Sequence, residues 1–366
     1  MQIEQLTDED RAEYESLVKT SDNGMLCHTL KWKEVLQRFT DARPEYLVAK
    51  TNNKIVGVLP AFIKQDSKYG NVLNSLPFYG THGGPIVSPN LSSNLRIKVK
   101  EKLLVAFKEL ARRNDCILST LITTPFEKDL PIFHESLKPE FIDSRVGQIT
   151  TFPRIVSNIE NEIMYNTVEK RCRTAIRKAQ KSGVKVEFAQ DLKNLDILME
   201  MHRVGLSRKQ GLYKPASFFE VLFDIFAQSQ NESFKLLFAR KGDGEIIGGL
   251  LLFYYKNIVS YFTPCFKLEY SKLQPLSLLI YEAMRDAIRN GYTVWNFGGT
   301  WKTLHGVYMF KRSWGAKDYP YYYFINSYKS INRIKSLQAE EILSEYKWFY
   351  VLPFSELESN KKEEQN

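Results

Sequence analysis

A chain of 366 residues exceeds the roughly 250–300 that one hydrophobic core usually serves, so two domains are the first expectation. Hydrophobic residues make up 43% and aromatic residues 13%, which excludes a disordered chain. The net charge of +9 points to an anionic partner, whether a phosphate-rich substrate, a nucleic acid or an acidic membrane surface.

The acidic, polar start has no basic stretch followed by an apolar run, so no signal peptide is expected. Asp8 to Lys19 reads as a helix, with Thr7 as N-cap and Asp8, Glu9 and Asp10 near the positive end of its dipole. Leu30 to Phe39 reads as a second helix, with Trp32, Val35, Leu36 and Phe39 on one face. Glu45 to Thr51 and Lys54 to Ile63 form a predicted hairpin about Asn52-Asn53. Val72 to Pro77 follows, then the loop from Phe78 to Pro85, the amphipathic helix Leu95 to Arg113 and the strand Cys116 to Ile122. Pro125 to Pro139 reads as irregular and Ile149 to Val156 as a strand, with the domain boundary near Val156. These choices give an N-terminal domain over 1–156, a C-terminal domain over 157–326 and a helical tail over 327–366 whose last residues fray.

Thr167 to Ser182 is the most basic helix, stopped by Gly183. A strand from Val184 to Ala189, helices over Leu192 to Lys209 and Ser217 to Ala227, and a hairpin about Gly242-Asp243-Gly244 follow. Then come the strand Ile258 to Thr263, the loop Pro264 to Pro275 and the helix Leu276 to Asn290. The stretch Val294 to Ala316 starts as a strand, which Gly298-Gly299 is expected to break, and continues as a helical turn carrying Leu304, Val307, Phe310 and Lys311. Tyr319 to Ile325 is the last predicted strand. The second half repeats the order of the first, which implies a duplicated domain.

Cys27, Cys116, Cys172 and Cys265 lie far apart, as reduced thiols of a cytoplasmic protein do. The five histidines form no HxxxH or HExxH cluster, so no metal site is expected. The longest apolar run, near Ile246 to Tyr255, is too short to span a bilayer; peripheral contact with the inner membrane face stays open.

The element order matches the acyltransferase fold of the GNAT superfamily, and the expected class is α+β: two tandem GNAT-like domains, each a mixed, splayed sheet flanked by helices. Four stretches carry a closer resemblance. They are Trp32 in HTLKWKEVL; SLPFYGTHGGPIV, Ser75 to Val87; RCRTAIRKAQKSGVKVE, Arg171 to Glu187, continuing into GLYKPASFF; and a strand ending in Phe-Gly, followed by Phe-Lys-x-x-Trp-Gly. From about Leu30 to Ile325 the chain resembles the FemABX family of tandem GNAT-like transferases, and still more the FemAB-related, BioF2-like acyltransferases of envelope-polysaccharide gene clusters. The resemblance implies an acceptor cleft and, in the peptidoglycan enzymes, an aminoacyl-tRNA donor. It puts Lys311 at the family's Phe-Lys lysine, linked to substrate phosphate and the reaction centre. It puts Tyr261 where the family presents an aromatic ring to the cleft, and Tyr213 in a flanking loop.

Acyl transfer to an amine needs a proton acceptor, donors for the tetrahedral oxyanion and a positive surface for phosphates. No activated Cys or Ser beside a base can be read, so direct attack is favoured. Lys311 is the candidate cation, Tyr261 the orienting hydroxyl and His305 the titratable base. Tyr213, Trp32, His82, Arg173 and Arg177 are the candidate substrate-binding residues. A CoA-binding Arg/Gln-x-x-Gly-x-Gly/Ala segment is missing: CFKLEYSKLQPLSLL has no glycine. The reading is an acyl- or aminoacyl-transferase with no permanent cofactor. Its donor is aminoacyl-tRNA or acyl-CoA, and its acceptor a phosphate-bearing small molecule or lipid-linked glycan. The alternatives are an ordinary acyl-CoA N-acyltransferase and a non-catalytic module binding RNA or polyanions through the basic helix.

Overall fold

The computed structural model describes residues 1–65, 68–78, 82–189, 191–208, 212–227, 233–301 and 304–357. The expected loop residues Tyr79 to Thr81, Gly211 of the GLYKPASFF stretch and the expected frayed end from residue 358 lie outside them. The chain divides into two compact units, Met1–Arg145 with Pro320–Asn366, and Val146–Tyr319. The sequence reading had placed these divisions at 156/157 and 326/327.

Unit 1 begins with β1 (Gln2–Gln5), α1 (Arg11–Thr20), α2 (Leu30–Thr40), β2 (Arg43–Pro44), β3 (Leu47–Thr51) and β4 (Lys54–Leu59). It continues with β5 (Phe62–Lys64), β6 (Asn71–Asn74), β7 (Ile86–Val87), α3 (Ser93–Arg113), β8 (Cys116–Ile122) and α4 (Leu130–Leu137). The β3–β4 hairpin forms as expected: Asn52 and Asn53 both take positive φ, 50° and 62°, as a two-residue turn of matching twist demands. The strand expected to run to Ile63 is cut instead. Pro60 has no N–H for a ladder. On one side of it β4 joins the sheet β1-β3-β4-β7; on the other, β5 pairs with β2 and β6. α1 starts later than expected, because the Asp10 carboxylate turns back to accept from the amide and hydroxyl of Thr7. The stretch expected to be irregular holds α4, whose Pro131 is tolerated in the first turn while Ile132, Phe133 and Leu137 are buried. One core joins α3, through Val99, Leu103, Leu104 and Phe107, to Phe133, Leu121 and Phe324.

The chain leaves unit 1 within β9 (Phe141–Thr151). This strand begins eight residues before the predicted one and stops ahead of Pro153, not at Val156. Unit 2 then holds a helical turn α5 (Ile159–Asn161) with a wider turn over Glu162–Thr167, α6 (Lys170–Lys181), β10 (Lys185–Phe188), α7 (Leu195–Ser207) and α8 (Ala216–Phe226). After these come β11 (Phe234–Arg240), β12 (Ile246–Tyr255), β13 (Ile258–Phe266), α9 (Pro275–Arg289), β14 (Val294–Thr300) and α10 (His305–Arg312). β10, β11, β12 and β13 pair antiparallel in sequence, β13 meets β14 in parallel, and β14 pairs antiparallel with the unit 2 part of β9. α9 buries Leu278, Leu279, Ala283, Met284 and Ala287 in a core shared with Trp295, Trp314, Ile176 and Ala179. The chain returns to unit 1 within β15 (Lys317–Ser327), followed by α11 (Asn332–Lys335) and α12 (Ala339–Glu345).

Among the described residues no helix is long and apolar enough to cross a membrane. The same residues contain no group of three or more His, Cys, Asp or Glu placed to hold a metal ion.

Candidate active site

The chemistry of unit 2 gathers where its sheet opens. The parallel ladder joins Ile258 to Val294, Val259 to Trp295 and Ser260 to Asn296, and goes no further. β13 continues to Phe266 on its partner β12, and β14 continues to Thr300 on β9. Beyond Ser260 and Asn296 the two strands therefore present unshared edges to each other.

Both strands are irregular at this point. On β14 the glycine pair does not end the strand, as had been expected, but bulges it. Gly298 takes φ 74°, its amide donates to Asn296 Oδ1 at 2.8 Å, and pairing with β9 resumes at Gly299. On β13 the register skips Phe262: Leu251 faces Thr263 and Leu252 faces Tyr261.

The β14 bulge supplies acceptors to Lys311. This residue lies in the last turn of α10 and is buried, 7% exposed. Its Nζ donates to Thr300 Oγ1 at 2.7 Å and Gly299 O at 3.0 Å, with a weaker contact to Gly298 O at 3.5 Å. Burial pushes this ammonium down to about 7. Tyr261 is half-buried on β13, with its ring 5.1 Å from Phe297 and 6.2 Å from Trp295. Burial raises its phenol well above the usual range, so it stays protonated and can donate. Lys311 and Tyr261 thus meet the same end of β14, one through Gly298 and Gly299, the other through Phe297.

The remaining candidates are placed as follows. His305 opens α10, exposed to solvent. Tyr213 is exposed in the loop between α7 and α8. Arg173 turns its guanidinium onto the carbonyls of Val168 at 2.7 Å and Met164 at 3.0 Å, closing the turn ahead of α6. Arg177 donates to the Tyr165 hydroxyl at 3.1 Å, on the exposed face of α6 opposite Cys172, Ile176 and Ala179. Trp32 and His82 belong to unit 1 and are buried there. His82 holds Thr123 O at 3.1 Å from Nδ1 and meets the Tyr321 ring edge-on at 4.5 Å.

The sequence reading passed over Thr300, Lys214 and His202. Lys214 lies beside Tyr213 in a stretch already singled out, but nothing in its neighbours announces that a loop lysine turns inward. Its Nζ donates to Phe262 O at 3.2 Å, and its amide donates to Nε2 of the buried His202 at 3.2 Å.

Burial holds His82 neutral, pushing it from 6.5 down to about 4. The unfolded chain therefore takes up this proton first as pH falls, and stability present above 6.5 is lost towards pH 4. The expected loss from His82 is about 3 kcal/mol. Urea midpoints of wild type and His82→Asn at pH 7 and pH 4.5 check this: the wild type should lose more stability than the variant across that interval.

Residues 167–312 match the acetyltransferase (GNAT) domain family. Comparison of the sequence with curated proteins gives no match. Among solved structures the chain is similar to FemX, with TM-score 0.68 and 18% identity over 88% of this chain and 97% of that one. It is similar to a tandem GNAT protein from the clavulanic acid biosynthesis pathway, with TM-score 0.56 and 11% identity over 90% and 99% of the two chains. It is also similar to L-PGS from Bacillus licheniformis, with TM-score 0.50 and 12% identity over 93% and 96%. With a GNAT domain that contains the opened sheet, Tyr261 and Lys311, the chain is an acyltransferase of FemABX-like, tandem GNAT fold.

Proposed function

We propose that the protein forms an amide by direct attack of an amine on an activated acyl or aminoacyl group, and that the amine belongs to a phosphate-bearing cell-envelope or glycan precursor. The observation that carries this reading is the buried Lys311 ammonium, held by Gly299 and Thr300 where β13 and β14 part, with no carboxylate among the described residues to neutralise it. The amine nitrogen attacks the acyl carbonyl, and the carbonyl electron pair moves onto oxygen. That oxyanion collapses, expelling the donor's hydroxyl or thiol, and the proton lost by the amine goes to the leaving group. Lys311 supplies positive charge to the oxyanion or to an adjacent phosphate. Its contact to Gly298 O at 3.5 Å is long enough to give way to a substrate oxygen. The Tyr261 hydroxyl orients the incoming amine.

Similarity in fold to FemX and L-PGS supports an envelope precursor as acceptor and aminoacyl-tRNA as donor. The GNAT domain supports acyl-CoA as the second reading of the donor. One local feature weighs against CoA. At the start of α9, Gln274 takes φ 58° and Pro275 follows, so the helix opens on a residue without an N–H for pyrophosphate.

Donor choice is tested by offering labelled aminoacyl-tRNA and labelled acyl-CoA with extracts of envelope precursors, and following label into amide. Transfer from charged tRNA alone is the expected result; transfer from acyl-CoA alone selects the second reading. Tyr261→Phe should lower the rate about 10–100-fold with the melting temperature unchanged. An unchanged rate would remove Tyr261 from the site.

A further inference from the structure

The mechanism leaves a second desolvated cation of unit 2 unused. Lys214 lies between α7 and α8, half-buried, with its ammonium 3.2 Å from Phe262 O and 4.6 Å from the centre of the Phe262 ring. Phe262 is the residue that the β12–β13 register skips, so its peptide is turned out of the regular ladder. It follows Tyr261 directly, on the stretch of β13 that has already parted from β14.

Among the described residues no carboxylate pairs with the Lys214 ammonium, and burial alone pushes it down to about 8. The Nε2 of His202 accepts the Lys214 amide. Burial and the Lys214 charge press that imidazole down to about 3, so it is neutral and no counter-ion. The Phe262 ring itself packs among aromatic rings, with Phe218 6.1 Å and Phe253 5.0 Å from it.

Two other inward lysines of the fold are paired with acids. In unit 1 Lys100, 7% exposed, reaches Glu127 at 2.5 Å and Asp129 at 2.8 Å. In unit 2 Lys235 reaches Asp286 at 2.7 Å. A desolvated ammonium with one carbonyl and no acid is costly unless a negative partner arrives with the ligand. Among the described residues, two of the three N–H donors of Lys214 have no acceptor.

We propose that Lys214 is an anion-binding residue of the unit 2 site, taking an anionic oxygen of the substrate, phosphate or carboxylate, beside the bulge at Phe262. The identity of that oxygen rests on the transferase reading; the geometry does not. A lysine suits the task as a compact point charge that can keep its bond to Phe262 O while donating to the ligand. The bond would also hold the bulge, and Tyr261 with it, in register with the bound anion.

The test uses the full chain as wild type, Lys214→Met and Lys214→Arg, titrated calorimetrically at pH 7 with inorganic pyrophosphate and, separately, with malonate. Lys214→Met should weaken at least one probe about tenfold or more, and Lys214→Arg should stay within about threefold of wild type. The probe that responds tells phosphate from carboxylate. No binding of either probe to the wild type, or unchanged binding in Lys214→Met, overturns the proposal. So does a melting temperature lowered in Lys214→Met and not restored in Lys214→Arg, with binding equal in the folded fractions, since that marks a bulge lock only. Lys311→Met keeps the two readings apart. If it abolishes transfer while Lys214→Met matches wild type in transfer and in binding, the transferase reading stands and this one falls. If no donor supports transfer yet anion binding still depends on Lys214, the reverse holds.

Discussion

Replacing Lys311 by methionine is expected to abolish transfer and, at neutral pH, to leave a protein that is harder to melt. The loss of rate follows from removing the buried cation held at the end of β14, and should be about 100-fold or more. The gain in stability follows from the cost of burying that cation. Lys311 is depressed from 10.5 to about 7, so between those values the unfolded chain holds a proton that the folded protein does not. Stability therefore rises with pH across that window, and below about 7 the full burial cost is present. The shift corresponds to at most about 5 kcal/mol. Methionine removes this cost but leaves Thr300 Oγ1 and the Gly299 carbonyl without a donor, at about 1–3 kcal/mol each. A net stabilisation of about 1–3 kcal/mol at pH 6, vanishing or reversing near pH 10, is the expected balance. Denaturant titrations at the two pH values measure it. Equal destabilisation of the variant at both would show that Lys311 is a structural post.

The rate has its own pH signature. If Lys311 acts as a cation, kcat/KM of the wild type declines above about pH 7, because the free enzyme loses the charge there. The profile of kcat should extend to higher pH, since a bound anion raises the lysine again. A rate that climbs through pH 7 would mean that the neutral amine is the working form.

The second large effect is expected from the C-terminal stretch. A chain ending at Ser336 should lose the fold of unit 1 and keep that of unit 2. The removed part buries Ile342, Tyr346, Trp348, Phe349, Val351, Leu352 and Leu357, each no more than 8% exposed. At about 1.5–3 kcal/mol for each side chain the loss reaches the whole stability of a typical domain. The segment is also tied to the rest of unit 1 by hydrogen bonds. Tyr346 Oη donates to Gly70 O at 3.0 Å, Phe78 N to Trp348 O at 2.7 Å and Thr120 Oγ1 to Tyr350 O at 3.1 Å. The Trp348 ring sits 5.2 Å from Phe39 and 5.3 Å from Phe78. Hydrogen exchange of the truncated chain should show fast exchange over α3 and β8, with protection kept over β12, β13 and α9. Protection of α3 equal to wild type would sink this expectation.

That stretch also marks where sequence pattern stops being informative. Periodicity located α2, α3, β8, α9 and the β11–β12 hairpin, because each buries a regular face. It gives residues 327–366 as a helical tail, with a helix over Gln338 to Phe349, but not their packing: Tyr346, Trp348 and Phe349 are buried by long-range contacts that no local window contains. The site was legible to a similar depth. Lys311 and Tyr261 could be named from motif, and the end of β14 from its glycines. The bulge that turns Gly299 O to Lys311 could not, since it depends on the Asn296 side chain reaching the Gly298 amide. Nor could Lys214 be told from any other surface lysine, since its ammonium is turned inward by the carbonyl of Phe262, 48 residues away in sequence.

The chain's path has a consequence for synthesis. Unit 1 is opened by residues 1–145 and closed by residues from Pro320 onward, with all of unit 2 between them. On the ribosome, therefore, the first half to emerge is the last to finish. Its β8 waits for β15, and its Phe39 and Phe78 rings wait for Trp348, while unit 2 is translated and can fold. The nascent N-terminal half exposes apolar surface for that whole interval, which makes it the part of the molecule that most needs a chaperone or a slow, cool expression regime.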